Sequence, residues 1–343
     1  MKFRFWLNIL TFLLLALAVY FTRDQIIQAW NMLGEVNLAI FLLLIPLQFF
    51  SYFAVGEVMF SYLKSKGELK SLNRWQMTRI ALELNFVNHI IPIPSIAGFS
   101  YLGWILKRHG VSAGRATMAQ IIRYVLMFVS FVALILISVF ILMLDHQASR
   151  SAIFISTLFV LATIISTSLL VYGISDRNRV KKTSHWITNL INKLVYRLSF
   201  GKKKQVLELD KTNDFFNEIH NDYIEISRQT NILHKPIIWA VLANITDVAL
   251  VWCAFWSLGF FVNPAALFIA FGISAFSAIF AATPGGTGAY EAIMIAFLVS
   301  AGVPASVAIA GTLLARVTLF AGTIIFGYIF YQLTINKYGK ISK

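Results

Sequence analysis

Arg123, Asp247, Glu291 and Arg316 carry charge inside long apolar tracts, where water is scarce. A charge at the centre of a bilayer costs about 2.5–3.5 kcal/mol on insertion scales. Such groups therefore face protein or a polar cavity rather than lipid. Arginine suits phosphate because its planar fork donates two parallel hydrogen bonds. The pattern points to an anion held by Arg316 and Arg123, with Glu291 and Asp247 as counter-charges that release it. The competing reading is a set of ion pairs that simply join helices. Glu57 and Glu83 lie closer to basic connections, where solvation is expected.

Glu291 closes the run Pro284-Gly285-Gly286-Thr287-Gly288-Ala289-Tyr290-Glu291, a glycine-rich break inside an apolar tract. In lipid every backbone N–H and C=O needs a partner, so a break at that depth requires surrounding protein or a water-filled cavity. Glycines leave N–H groups free to turn inward, and a helix starting near Thr287 would point its positive end at the break. Both features favour an anionic headgroup, and Thr287 is a candidate cap for that helix. Close helix packing would explain the glycines equally well. Asn88 and His89, just before Pro92, occupy the equivalent place in the first half of the chain.

No Gly-x-Ser-x-Gly, His-Glu-x-x-His or nucleotide-loop pattern occurs, and no histidine or cysteine pair offers metal-ligand spacing. Cys253 is the single cysteine, which excludes an internal disulfide. No cofactor and no metal are expected.

The elements that position these groups follow from hydropathy. The 343 residues are 58% hydrophobic and 13% charged, where soluble domains carry roughly 25% charged residues. Residues 5–22, 36–55, 116–144, 151–174, 237–262 and 304–334 are each long enough to cross a bilayer. The first of these continues past a signal-like start, so an uncleaved span is expected. Residues 78–106 and 265–302 are apolar but broken, and read as re-entrant hairpins. The expected fold is all-α: a polytopic helical membrane protein with about six full spans plus two re-entrant hairpin elements. It forms a single membrane domain, with a first half over 1–174, a cytoplasmic segment over 175–235 and a second half over 236–343.

The formal charge is +14, but its distribution argues against nucleic acid. Basic residues gather in 1–4, 64–74, 107–115, 177–235 and 337–343, leaving the alternate connections nearly free of them. This positive-inside asymmetry places both termini in the cytoplasm and makes membrane lipid the electrostatic partner. Within the cytoplasmic segment, Trp186, Ile187, Leu190, Ile191, Leu194 and Leu198 recur at helical spacing beside Lys193 and Arg197. That helix would lie on anionic lipid or pack on the rest of the segment.

A shift of 192 residues aligns the halves. Pro92 falls on Pro284, Ala97 on Ala289, Leu106 on Leu298, and six of 19 positions from Gly110 to Phe128 are identical to Gly302–Phe320. The first copy's turn, Lys107-Arg108-His109-Gly110, is basic, while the second, Val299-Ser300-Ala301-Gly302, is uncharged. The two turns would then lie on opposite sides of the membrane, giving an inverted internal repeat of the kind transporters use for alternating access.

The Pro-Gly-Gly-Thr-Gly-x-x-Glu run and the earlier series Asn88, Pro94, Ala97-Gly98 and Gly110 resemble the lysylphosphatidylglycerol synthase transmembrane-region family, also called flippase-like domain proteins. Tyr101 stands where many relatives of that family carry arginine. The resemblance implies a membrane domain that moves or binds lipids. In two-part members a separate soluble domain performs aminoacyl transfer; this chain ends just after its last span, so that activity is not expected here. The expectation is a lipid translocase of the plasma membrane that binds an anionic phospholipid or polyprenyl phosphate between the two hairpins. The alternatives are a membrane enzyme, or an accessory subunit beside a partner enzyme, acting on a lipid-linked substrate, and a small-solute transporter.

Overall fold

The computed structural model describes residues 36–90, 94–144, 150–199, 207–280 and 286–338, with isolated positions between 13 and 34. The expected first span, together with Pro92, Pro284 and Gly285, lies outside the described residues. Five helices are long and apolar enough to cross a membrane: Leu38–Ser65, Ala113–Leu144, Ser156–Ser175, Thr230–Ser257 and Ala305–Tyr338. The remaining expected spans are thus all present, and the described residues are almost entirely helical.

Local chemistry sets the helix ends. The first span comprises α1 (Leu38–Leu42) and α2 (Leu44–Ser65), interrupted at Leu43. Pro46 explains the interruption: it has no N–H to offer residue 42, and its ring crowds that carbonyl. Asn37 caps α1 through the N–H groups of Ala39 and Ile40. Asn73 and Gln76 form a reciprocal cap ahead of α3 (Arg74–Ile90): each side chain accepts the other's backbone N–H, at 2.8 and 2.9 Å. The first hairpin is α3 followed by α4 (Pro94–Lys107), and α5 (Ala113–Leu144) then crosses the bundle.

The chain returns in α6 (Arg150–Ser175) and runs directly into α7 (Arg177–Leu198). Asp176 separates them and accepts the N–H of Arg179 at 2.9 Å; that donor holds its carboxyl below the usual range. α7 packs on α8 (Leu209–Arg228) through Val180, Ser184 and Thr188, with the Ser184 hydroxyl donating to Asn213 at 2.7 Å. Its opposite side leaves Trp186 and Leu194 64% and 48% exposed. Both expected uses of this amphipathic helix are therefore open: one side meets the rest of the segment and the other is uncovered.

α8 is tied to the base of the bundle by charge. Asp222, 4% exposed, accepts from the Tyr62 hydroxyl at 2.7 Å. Lys66 lies 2.5 Å from Glu225, and Arg115 lies 3.6 Å from Asp222 and 2.6 Å from Glu68.

After a 3-10 turn (Thr230–Leu233), α9 (His234–Ser257) crosses. The second hairpin is α10 (Pro264–Phe280) and α11 (Ala289–Ser300), and α12 (Ala305–Tyr338) is the last span. The hairpins enter from opposite ends of the bundle. Beyond α4, Arg108 donates to the carbonyl of Tyr338 at the end of α12, and Ser112 donates to Glu218 of α8. Beyond α11, Gly302 and Pro304 share a cavity with Leu142 at the far end of α5 and Trp252 in the last turns of α9. The core divides the same way. One apolar cluster surrounds the first hairpin (Phe60, Phe86, Leu102, Leu106), and a second surrounds the other (Phe255, Met294, Leu298, Ala308).

Glu83 departs from the expectation of a solvated edge residue. It is 1% exposed and accepts from the Tyr101 hydroxyl at 2.5 Å and the Thr334 hydroxyl at 2.7 Å. α4 and the end of α12 close over it. Tyr101 serves this carboxylate.

Candidate functional site

The second break is built around Glu291. α11 starts at Ala289, and its cap position is Gly288, with φ +93°. That left-handed conformation suits glycine and costs an L residue. Thr287 is therefore not the cap, contrary to expectation. The capping oxygen comes instead from inside the helix: the Glu291 carboxylate accepts the Gly288 N–H at 2.5 Å. Its other oxygen accepts from Nε of Arg316 on α12, at 2.8 Å. Glu291 is 4% exposed and the Arg316 side chain 16%. The guanidinium also lies over the ring of Tyr290, 4.5 Å from its centroid. One carboxylate thus closes the helix start and neutralises the buried arginine. Gly286, also left-handed at φ +71°, is buried just ahead of it.

Other expected site residues reach this pair through neighbours. Tyr290 lies within electrostatic range of Asp247, Glu291 and Arg316 together, and His89 within range of Arg316. Asp247 accepts a hydrogen bond from Ser51 of α2. His89 Nδ1 is 2.9 Å from the carbonyl of Asn85, which ties it to its own helix α3. Residues of α2, α3, α9, α11 and α12 therefore converge in the bundle interior.

Arg123 is not part of this convergence. It makes no ion pair among the described residues, and its guanidinium rests over Tyr124 at 4.4 Å. Its Nε is buried without a hydrogen-bond partner among the described residues. The same holds for Asn88 Oδ1 and for both amide atoms of Gln120, a fully buried residue one turn before Arg123 on α5. Buried polar atoms are nearly always paired, so these mark a place suited to water or a polar ligand. Asn88 lies against Gly98 of α4, where an added Cβ would meet its side-chain oxygen.

A polar chain that sequence reasoning missed links α2, α12 and α3. Gln48 donates to the Leu319 carbonyl at 2.7 Å and to the Tyr52 hydroxyl at 2.5 Å. Tyr52 meets the Thr323 hydroxyl at 2.5 Å, and Asn85 donates to Thr323 at 3.4 Å. The available signal was Gln48 itself, an amide inside an apolar tract. Its backbone partner Leu319 is 271 residues away in the chain, which no local pattern reveals.

The family model described as lysylphosphatidylglycerol synthase TM region matches residues 6–327. The chain belongs to that family. A UPF0104 membrane protein of Methanocaldococcus jannaschii is 25% identical over 163 residues, which cover 48% of this chain and 46% of that relative. The chain spans about half the length of the curated relative it matches. Membership in the lysylphosphatidylglycerol synthase TM region family and the apolar spans make this a multi-pass membrane protein.

Proposed function

We propose that the protein is a lipid translocase or lipid-binding transporter. A phosphate-bearing headgroup, of an anionic phospholipid or a polyprenyl phosphate, enters the interior between the two broken hairpins near Glu291 and Arg316. The basic end of the bundle faces the cytoplasm by the positive-inside rule, and the membrane is the plasma membrane. One observation carries the reading: two interrupted hairpins from opposite ends bring a buried ion pair and unpartnered polar atoms into an apolar bundle. Interrupted helices at membrane depth persist where they line a cavity. Glu291 suits a release step, because an arriving phosphate competes with it for Arg316.

The test is transbilayer movement of fluorescent lipid in liposomes carrying the purified chain. Glu291→Gln and Arg316→Lys should slow flipping at least tenfold per folded molecule. Removing Arg316 outright strands a buried carboxylate and costs about 3–5 kcal/mol, so the conservative changes are the informative ones. Wild-type flip rates in both variants would reject the role of the pair. Gradient-driven uptake of a soluble compound without lipid movement would favour the solute-transporter alternative.

A further inference from the structure

A second cavity, of about 710 Å³, opens at the basic end of the bundle, away from the Glu291–Arg316 pair. Its rim carries Lys64 at the end of α2, Arg74 at the start of α3, and His234 and Lys235 at the start of α9. Lys64, Arg74 and Lys235 are exposed, and among the described residues none of them pairs with a carboxylate. Two neighbouring cations at this end are matched: Lys66 meets Asp222 and Glu225, and Arg115 meets Glu68. The one acid on the cavity wall, Glu57, lies seven residues before Lys64 on α2. At 1.5 Å per residue that is about 10 Å deeper, so it does not cancel the rim.

The surroundings fix the depth. Ile238, 59% exposed, lines the cavity on the apolar span α9, and Trp75, 52% exposed, follows Arg74 at the start of α3. Tryptophan favours the headgroup level of a bilayer, where one part of its ring is wet and the other apolar. A ligand here meets unpaired cations at the interface and an apolar flank beneath them. A phosphate with acyl chains attached satisfies both, whereas a soluble anion uses only the cations.

We propose that this cavity is a peripheral phospholipid site that holds the phosphate of a leaflet lipid on Lys64, Arg74 and Lys235, with the acyl chains along Ile238 and Trp75. It stands independently of the midplane reading, because it uses none of the same residues. The test measures thermal unfolding of the full chain in a neutral detergent with added lipid. Dioleoylphosphatidylglycerol should raise Tm by several degrees, well above the effect of dioleoylphosphatidylcholine. The pair Arg74→Ala/Lys235→Ala should lose more than half of that rise, as should the milder Lys64→Gln/Lys235→Gln, while Lys211→Gln, which removes an exposed cation of α8 outside both sites, keeps it. An unchanged rise in both rim pairs would overturn the site. So would an equal rise from soluble glycerophosphoglycerol, which would assign the cations to a free anion.

Discussion

The turns that follow the two hairpins share one geometry but lead into different chemistry. After α4 and after α11 the chain makes the same turn. His109 bonds back to Leu106 and Val111 to Leu106; 192 residues later Ala301 bonds to Leu298 and Val303 to Leu298. Gly110 and Gly302 take φ of +85° and +91° at matching points. The next helices meet at matching points too. In the first half Phe99 and Tyr124 stack at 5.9 Å; in the second Glu291 and Arg316 form the ion pair. These are the same two positions under the 192-residue shift. The first hairpin is thus closed by shape and the second by charge, which isolates what the charge contributes beyond packing.

That correspondence suggests the largest effect. The double change Glu291→Phe/Arg316→Tyr writes the first half's pair into the second. Replacing a buried ion pair by well-packed apolar groups is often neutral or stabilising, by about 1–4 kcal/mol. The variant also loses the carboxylate that accepts the Gly288 N–H, a cap worth about 1 kcal/mol, so it should fold with a Tm near wild type, yet lipid flipping should fall to the protein-free background. Retained flipping in a folded variant would reduce the pair to a joint between helices and erase the functional difference between the halves.

The first half's dependence on shape is tested next. α12 passes α3 at Gly327, where an added Cβ would sit 2.4 Å from Phe86 Cβ and 2.8 Å from the Leu82 carbonyl. Neither neighbour is the free end of a flexible side chain, so the helices must separate. Gly327→Ala should destabilise by about 1–3 kcal/mol, read by chemical or thermal unfolding in detergent. A neutral outcome would mean that this packing tolerates a methyl group and that shape does not hold the first hairpin.

Most of the architecture was legible in the sequence, because span length and positive-inside asymmetry are imposed by the bilayer itself. The spans past residue 36 and both hairpins follow from hydropathy and from Pro and Gly positions. The pairing of Glu291 with Arg316 was open between function and joint, and the structure supplies the geometry of the joint. Local detail failed where tertiary contacts decide. Glu83 read as an edge residue, yet Thr334, 251 residues away, buries it. Thr287 read as a cap, yet Glu291 reaches back to do that work. Arg123 read as a partner of Arg316, yet it sits on the first half's aromatic pair. In each case the identity of the group was visible and its neighbour was not, because the neighbour comes from a distant helix.

The smallest effect on stability is expected at Asn88. Its Oδ1 is buried and unpartnered among the described residues. Removing a hydrogen-bonded polar group costs stability, but removing an unsatisfied one relieves a desolvation penalty. Asn88→Ala should therefore leave Tm close to wild type or slightly above it. If the first hairpin lends its unpaired atoms to a passing headgroup, the same variant slows flipping while its stability is unchanged. That split separates a ligand contact from a packing role, since a packing role would move both. A marked loss of stability would show that the amide has a structural partner, and the first hairpin would then be closed by hydrogen bonding as well as by shape.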